Sequence, residues 1–183
     1  MNILWIKDGK LGHEKQVKVL LDELSKTIDI KVYEEEYIIG SFQRINDILY
    51  YASRSNELIH HVKYHKKNIH LIIGAGSNTH AKILQIKRGL KHDFHKEVLA
   101  VSLLVPSFFK QHFDLICAPK HDRHKLSGHE AIYFEGSLAK VSIDAVDESI
   151  GLIAIGGKNE HYLFNVNKIM EQVEFVTSIY PNK

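Results

Sequence analysis

The chain has 183 residues, 44% of them hydrophobic and 25% charged, and its formal net charge at pH 7 is +2. This length and composition predict one globular domain, or one domain with an incomplete second piece, and they exclude extensive disorder, a collagen-like repeat and a coiled coil. The small excess of basic residues argues against a nucleic-acid partner. The single cysteine, Cys117, fits a reducing compartment, and we recognise no secretion signal or membrane span, so we expect a cytoplasmic protein.

Strands and helices alternate along the predicted chain. The sequence predicts a strand over residues 2–7, a helix over 14–26, a strand over 28–33 that the glutamates 34–36 end, a helical region over 41–64, a strand over 69–73, and a helix over 78–90 with Ser77 as its N-cap. Further strands are predicted over 97–104, 114–118, 131–134 and 151–155, and a last helix over 163–175. Several strands are continuous apolar runs, which is typical of a parallel sheet covered on both faces. The predicted fold class is α/β, with a doubly wound, mainly parallel and Rossmann-like sheet.

The first of three loops at the carboxyl edge of this sheet spans residues 8–14. Its glycines let the backbone approach a ligand closely, and the N-terminus of the following helix favours a polar or anionic group. The dipole of that helix disfavours a charged imidazole, so His13 suits the role of a general base. The alternative is a tight turn that needs glycine for its dihedral angles. The candidate ligand-binding residues of this loop are Asp8, Gly9, Lys10 and Gly12.

The second and third loops carry further candidates. Residues 74–80 form a glycine turn into a helix, whose amides and hydroxyls could hold a phosphate, a carboxylate or a sugar hydroxyl, or could simply turn and cap the chain. Residues 119–124 are rich in titratable groups on the same edge, for which a solvated charged loop is the alternative. The candidate ligand-binding residues of these loops are Gly74, Gly76, Ser77, Thr79, His80, His121 and Asp122.

The histidines do not indicate a metal site. His61 and His65 have helical spacing, and His121 and His124 share a loop, but neither pair has a cysteine nearby and no H-E-x-x-H motif occurs. Cys117 lies inside an apolar strand, where packing in the core is the expected role. We therefore expect neither a metal nor a cofactor.

Two aromatic residues in the loop after the fourth strand bear on location. If Phe108 and Phe109 are exposed, they could contact an anionic membrane surface together with nearby basic residues. The favoured alternative is a loop that folds its aromatic side chains onto the sheet. The basic residues concerned are Lys87, Arg88 and Lys91.

Five motifs in order give the sequence a resemblance to a known family. They are Trp5-x-x-Asp8-Gly9-Lys10-x-Gly12-His13-Glu14-x-Gln16, Ile73-Gly74-Ala75-Gly76-Ser77-x-Thr79-His80, Phe113-Asp114-Leu115 with Pro119-x-His121-Asp122, Glu135-Gly136-Ser137-Leu138, and Ile155-Gly156-Gly157-Lys158-x-x-His161-Tyr162. Together they resemble the mitochondrial-fission ELM-type family, whose members are similar to nucleotide-sugar glycosyltransferases of the two-domain GT-B fold.

The resemblance implies a domain organisation and a set of roles. Residues 1–150 would form the Rossmann-like, acceptor-binding domain, and residues 151–183 the first strand and helix of an incomplete second domain. In the related lipid-linked N-acetylglucosamine transferases a histidine in the loop after the first strand is the base, and His13 occupies the matching position. His121 and Asp122 would line the same cleft. Family members also carry a Ser-Arg-Arg-type motif, which the sequence lacks, and Lys158 stands where a proline is usual.

These features favour one function and leave an alternative open. The first hypothesis is the acceptor-binding half of a glycosyltransferase-like protein, inactive in sugar transfer on its own. Its partners would be a sugar or lipid-linked acceptor, a nucleotide sugar, and a separate C-terminal half, with peripheral membrane contact. The alternative is a non-catalytic binding or scaffolding module that forms a homodimer, and a weaker third reading is a stand-alone hydrolase or epimerase on nucleotide sugars.

Overall fold

The computed structural model describes residues 1–53, 58–140, 147, 149–156 and 163–181, with only the backbone of residues 58–61. The chain divides into two units, residues 1–140 and residues 141–183.

The first unit is built on one sheet of six parallel strands. Their order across the sheet is β2-β1-β3-β4-β5-β6, and every neighbouring pair is parallel. This confirms the predicted α/β class with a parallel sheet. The strands are β1 Asn2–Lys7, β2 Lys31–Glu36, β3 Leu71–Ala75, β4 Leu99–Leu103, β5 Leu115–Pro119 and β6 Ile132–Phe134. The α-helices are α1 Leu11–Ser25, α2 Ser41–Ala52, α3 Leu58–Lys66 and α4 Ser77–Phe94, and short 3₁₀ helices span Lys110–His112 and Lys120–Leu126.

The apolar runs of the central strands serve two separate cores. Successive side chains of a strand point to opposite faces, so in β1 Leu4 and Ile6 pack with α4 residues on one face, while Ile3 and Trp5 pack with α1 residues on the other. All four residues are buried. The sheet is thus covered on both faces, which is why its inner strands carry apolar residues on both faces.

The edge strand β2 ends later than the sequence predicted. The glutamates 34–36 were expected to end the strand, but they form its last three residues. Each of the first two has a partner: Glu34 pairs with Lys7 at 3.1 Å, and Glu35 accepts a hydrogen bond from the Tyr64 hydroxyl at 2.8 Å. An edge strand with one side open to water tolerates such charges.

Two further predicted elements of the first unit differ in extent. The helical region expected over residues 41–64 is two helices, α2 and α3, and residues 54–57 between them lie outside the described residues. The loop expected over 119–124 is largely the 3₁₀ helix Lys120–Leu126.

In the second unit the structure describes a helix and an irregular segment. Helix α5 spans Val166–Ile179, and the Asn165 side chain caps it by accepting a hydrogen bond from the backbone N–H of Lys168 at 3.2 Å. The strand predicted over residues 151–155 is wrong, because this segment is irregular. A strand needs a neighbour for its backbone groups, and in the described part of the chain no ladder pairs with this segment. That residues 151–183 begin a second domain stays a prediction.

Candidate functional site

The strand order creates a crevice at the carboxyl edge of the sheet, between β1 and β3. The chain leaves β1 to build β2 on one side, and it leaves β3 to build β4 on the other, so the two connections diverge. Doubly wound sheets bind ligands where connections diverge in this way. The loop after β1 and the loop after β3 therefore lie where the fold favours a binding site.

The first of these loops places a carboxylate against a histidine. Asp8 follows β1 with its side chain buried, and its Oδ2 atom lies 2.8 Å from Nδ1 of His13. Its Oδ1 atom accepts a hydrogen bond from the backbone N–H of Lys10 at 3.1 Å. Because a carboxylate accepts, Nδ1 of His13 carries the proton and Nε2 presents a lone pair. A carboxylate that fixes the tautomer of a partly exposed imidazole is an arrangement suited to a general base.

Helix α1 begins three residues earlier than predicted. Leu11 is its first residue, and the backbone N–H of His13 donates to the carbonyl oxygen of Lys10 at 2.9 Å. Gly12 and His13 therefore lie in the first helical turn rather than in a loop. The surroundings of Gly12 are open, whereas Gly9 has a φ of +77° and packs against another loop. The turn after β1 is short, and this brings the imidazole back over the end of its own strand.

Gly76 brings the second loop into direct contact with the carboxylate–histidine pair. Its φ is +85°, and a Cβ atom there would lie 2.5 Å from Cε1 of His13 and 2.7 Å from Oδ2 of Asp8. Side chains rarely adopt this backbone conformation, and real Cβ atoms do not approach other atoms so closely. Glycine is therefore required at position 76 for the two loops to meet.

The remaining polar candidates of the second loop are used inside the protein. Helix α4 begins at Ser77 with Gly76 as its N-cap and no side-chain cap, so the predicted capping role of Ser77 is wrong. The Ser77 hydroxyl instead accepts a hydrogen bond from Nη1 of Arg44 at 3.1 Å. The buried Thr79 hydroxyl donates to the carbonyl oxygen of Gly76 at 2.9 Å. A Cβ atom at Gly74 would lie 2.9 Å from the Thr79 hydroxyl oxygen, so this strand end is tightly packed.

His80 lies beneath the site as a buried imidazole. Its Nε2 atom is 3.0 Å from the Ser102 hydroxyl oxygen, and that hydroxyl donates to the carbonyl oxygen of Leu104 at 2.8 Å. The proton between His80 and Ser102 therefore sits on Nε2, and Nδ1 is a buried atom with no hydrogen-bond partner among the described residues. Burial lowers the pKa of His80 to about 4, the charge of His13 acts in the same direction, and Asp8 opposes both. His80 is therefore neutral at pH 7.

Sequence reasoning missed Ser102. It is fully buried and is the polar residue of the strand Leu99–Leu103, whose other members are apolar. A hydroxyl inside an otherwise apolar strand needs a hydrogen-bond partner, and this signal could have identified it.

The third loop lies on the same edge of the sheet but contributes to a neighbouring cavity. His121 is exposed, and Asp122 pairs with Lys125 at 2.6 Å. The hydrogen bond from Lys125 lowers the pKa of the Asp122 carboxyl. Both His121 and Asp122 line a cavity that also includes Gln16 of α1. The structure therefore forms two groups, one around Asp8 and His13 and one around His121 and Asp122, with α1 bordering both.

Other candidates of the sequence have structural surroundings of their own. Among the described residues, no group of three or more His, Cys, Asp or Glu side chains is placed to hold a metal ion. His65 stacks on Phe94 with ring centroids 4.1 Å apart, and the side chain of His61 lies outside the described residues. Nδ1 of His124 is 3.1 Å from the His121 carbonyl oxygen. Cys117 is buried, as expected, and burial raises the pKa of its thiol.

The two phenylalanines of the loop after β4 differ in their exposure to solvent. Phe109 packs edge-to-face on Tyr51 with ring centroids 4.9 Å apart, whereas Phe108 is 55% exposed. Membrane contact by this loop stays a prediction and now depends on Phe108 alone. Of the helices in the described part of the chain, none has the length and apolar character needed to span a bilayer.

The fold and the site together define a doubly wound α/β protein with a carboxylate–histidine pair at the point where its connections diverge. A family model described as Mitochondrial fission ELM1 matches residues 11–183. The chain belongs to this family. No curated protein and no solved structure matches the chain.

Proposed function

We propose that this chain is the acceptor-binding half of a glycosyltransferase-like protein, with His13 as the base that activates an acceptor hydroxyl. The observation that carries the proposal is the hydrogen bond between Asp8 and His13, 2.8 Å long, at the edge of the sheet where ligands bind. The resemblance of the loop motifs to GT-B glycosyltransferases supports the reaction class. The proposal assigns acceptor binding to this chain and assigns no donor-binding residues to it, so we expect no sugar transfer by residues 1–183 alone.

The proposed chemistry follows from the tautomer of His13. Nε2 takes the proton of an acceptor hydroxyl as its oxygen forms a bond to the anomeric carbon of a sugar. The bond between that carbon and the diphosphate oxygen of the nucleotide breaks, and the electron pair leaves with the diphosphate. The imidazolium that results is stabilised by the buried carboxylate of Asp8.

His80 supports this assignment through its charge state. A second imidazolium beside the first would oppose protonation of His13. With a pKa of about 4, His80 remains neutral at the pH of the cytoplasm, the expected location, so His13 alone acquires charge in the reaction. The hydrogen bond from its Nε2 to Ser102 holds the ring in place.

A ligand screen by thermal unfolding tests the proposal. The panel contains nucleoside diphosphates, nucleotide sugars and polyprenyl-phosphate-linked sugars in detergent. We expect an acceptor-type compound to raise the unfolding temperature. A ligand at 100 times its dissociation constant stabilises by about 2.7 kcal/mol, which such a screen resolves. His13→Ala and Gly76→Val should abolish the shift, and His124→Ala, an exchange at an exposed histidine, should retain it. Shifts produced only by nucleotide sugars, or unchanged by the two site variants, would overturn the assignment.

The alternative function, a non-catalytic binding or scaffolding module that dimerises, is favoured by the second unit. No residue of helix α5 is buried. Large apolar side chains of this unit are open to solvent, with Leu152 89% exposed and Phe175 61% exposed. Such side chains are typical of an interaction surface.

Light scattering separates the two functions. A dimer that Phe175→Ser and Leu152→Ser convert to a monomer would support the module. A strict monomer at high protein concentration would argue against it. The exchange Thr177→Ser on the same helix is the control and should leave the oligomeric state unchanged.

A further inference from the structure

The cavity next to the carboxylate–histidine pair has the size and position of a small-molecule site. It is open to solvent, its volume is about 530 Å³, and loops that follow β4, β5 and β6 line it together with α1. Ligand sites commonly measure roughly 300–1,000 Å³. Polar side chains on its wall include Gln16, Ser107, Lys110, His121, Asp122 and Lys125.

The charges of this wall favour an anion. Asp122 is the acidic residue of the lining, and Lys125 already pairs with it at 2.6 Å. Lys110 donates to the carbonyl oxygen of Lys125 at 2.5 Å. An ammonium group has three protons to donate, so this bond leaves Lys110 able to bind a ligand oxygen. Because Lys125 neutralises the charge of Asp122, the positive charge of Lys110 remains uncompensated on the cavity wall.

Two connections tie the cavity to the Asp8–His13 pair. Gln16 lies three residues after His13 on α1, and residues at this spacing are neighbours on a helix surface, about 5–6 Å apart at Cβ. Gln16 accepts a hydrogen bond from the backbone N–H of Leu138 at 3.4 Å. On the other side, Ser102 links His80 to the carbonyl oxygen of Leu104, which lines the cavity, and His80 interacts with His13 and Asp8 through their charges.

We propose that this cavity binds the phosphoryl group of the acceptor, with Lys110 as the main cation and Ser107 as a further donor. The phosphoryl group would sit at the cavity wall while a hydroxyl of the same molecule reaches Nε2 of His13 one helical turn away. The position of the hydroxyl rests on the proposed function, whereas the anion site does not. The phosphoryl group belongs either to a soluble sugar phosphate or to a lipid headgroup.

Calorimetric titration with inorganic pyrophosphate at low salt tests the anion site. We expect Lys110→Gln to weaken binding at least tenfold and Lys110→Arg to retain most of it, because arginine keeps the charge. Lys91→Gln is the matched control. Lys91 is exposed in the last turn of α4, where it pairs with Glu97 at 2.7 Å, and removing its charge should leave pyrophosphate binding unchanged. Absence of binding, or equal weakening by both glutamine variants, would overturn the proposal.

Further experiments distinguish a soluble sugar phosphate from a lipid headgroup, and they test the anion site separately from the proposed function. Binding of glucose 1-phosphate that depends on Lys110 identifies a soluble sugar phosphate. Flotation with phosphatidylcholine vesicles that contain phosphatidic acid, lost in Lys110→Gln, identifies a lipid headgroup, and failure of both arms counts against the site. His13→Gln should leave pyrophosphate binding unchanged. If pyrophosphate binding depends on Lys110 but no acceptor shift depends on His13, the anion site stands and the proposed function fails.

Discussion

Mild acid should destabilise this protein through His80. Burial, helped by the charge of His13, lowers the pKa of His80 from 6.5 to about 4 in the folded protein. The unfolded chain therefore takes up a proton near pH 6.5, and the folded chain does so only near pH 4. The stability that neutral His80 contributes is complete above pH 6.5 and is lost as the pH falls toward 4. Between pH 7.5 and pH 5 this linkage removes about 2 kcal/mol from the free energy of unfolding.

Urea unfolding at pH 7.5 and pH 5 measures this loss. In His80→Gln the side-chain amide can still donate a hydrogen bond to Ser102, but nothing at position 80 titrates. The decrease in the free energy of unfolding between the two pH values should therefore be about 2 kcal/mol smaller in His80→Gln than in the wild type. The same exchange at exposed His124 should alter the decrease by less than about 0.5 kcal/mol.

The comparison is between the two pH dependences, so a general loss of stability in His80→Gln does not affect it. If wild type and His80→Gln lost the same free energy, His80 would be taking up its proton near its ordinary pKa in the folded state. The burial and the hydrogen bond to Ser102 would then not hold the imidazole neutral, and the reasoning would be refuted.

Three further substitutions test the packing around the site. Gly76→Ala places a methyl group 2.5 Å from Cε1 of His13 in a left-handed backbone conformation. It should cost at least about 2 kcal/mol and shift the imidazole NMR signals of His13, and unchanged signals would contradict the contact. Ile72→Ala empties a fully buried position of β3 and should cost about 2–5 kcal/mol in urea unfolding, whereas a cost below 1 kcal/mol would indicate a looser core. Ser77→Ala also removes the hydrogen bond from Arg44, so it is made in an Arg44→Ala background, where it should cost less than about 0.5 kcal/mol because Ser77 does not cap α4; a loss near the 1 kcal/mol typical of a cap would show otherwise.

Much of the fold follows from local sequence because its signals are local. The apolar runs around Leu4 and Ile72 identify buried parallel strands without reference to the rest of the chain. The glutamates 34–36 looked like the end of a strand because their partners, Lys7 and Tyr64, are distant in sequence. The segment 151–155 has the composition of a strand, but composition does not supply the neighbouring strand that its backbone requires.

The candidate site likewise has features that local sequence predicts and features that depend on distant parts of the chain. A glycine-rich loop with a histidine after the first strand is a local pattern, and it placed His13 at the edge of the sheet. Its hydrogen bond with Asp8 depends on α1 starting at Leu11, and helix boundaries are set by backbone geometry that the sequence specifies weakly. The contact of both residues with Gly76 joins two loops that only the strand order brings together.

The division of the carboxyl edge into two groups is itself a consequence of strand order. Because β1 and β3 are adjacent, their loops share one crevice, while the loops after β4, β5 and β6 lie further along the sheet and line the open cavity. Helix α1 begins in the crevice at His13 and reaches the cavity at Gln16, so one helical turn spans both places. A ligand with an anionic group and a hydroxyl at this spacing would occupy both at once. A ligand without the anion would lose the contact with Lys110 and keep only the interaction at His13, so the pyrophosphate titration reports on the cavity and the acceptor screen reports on His13.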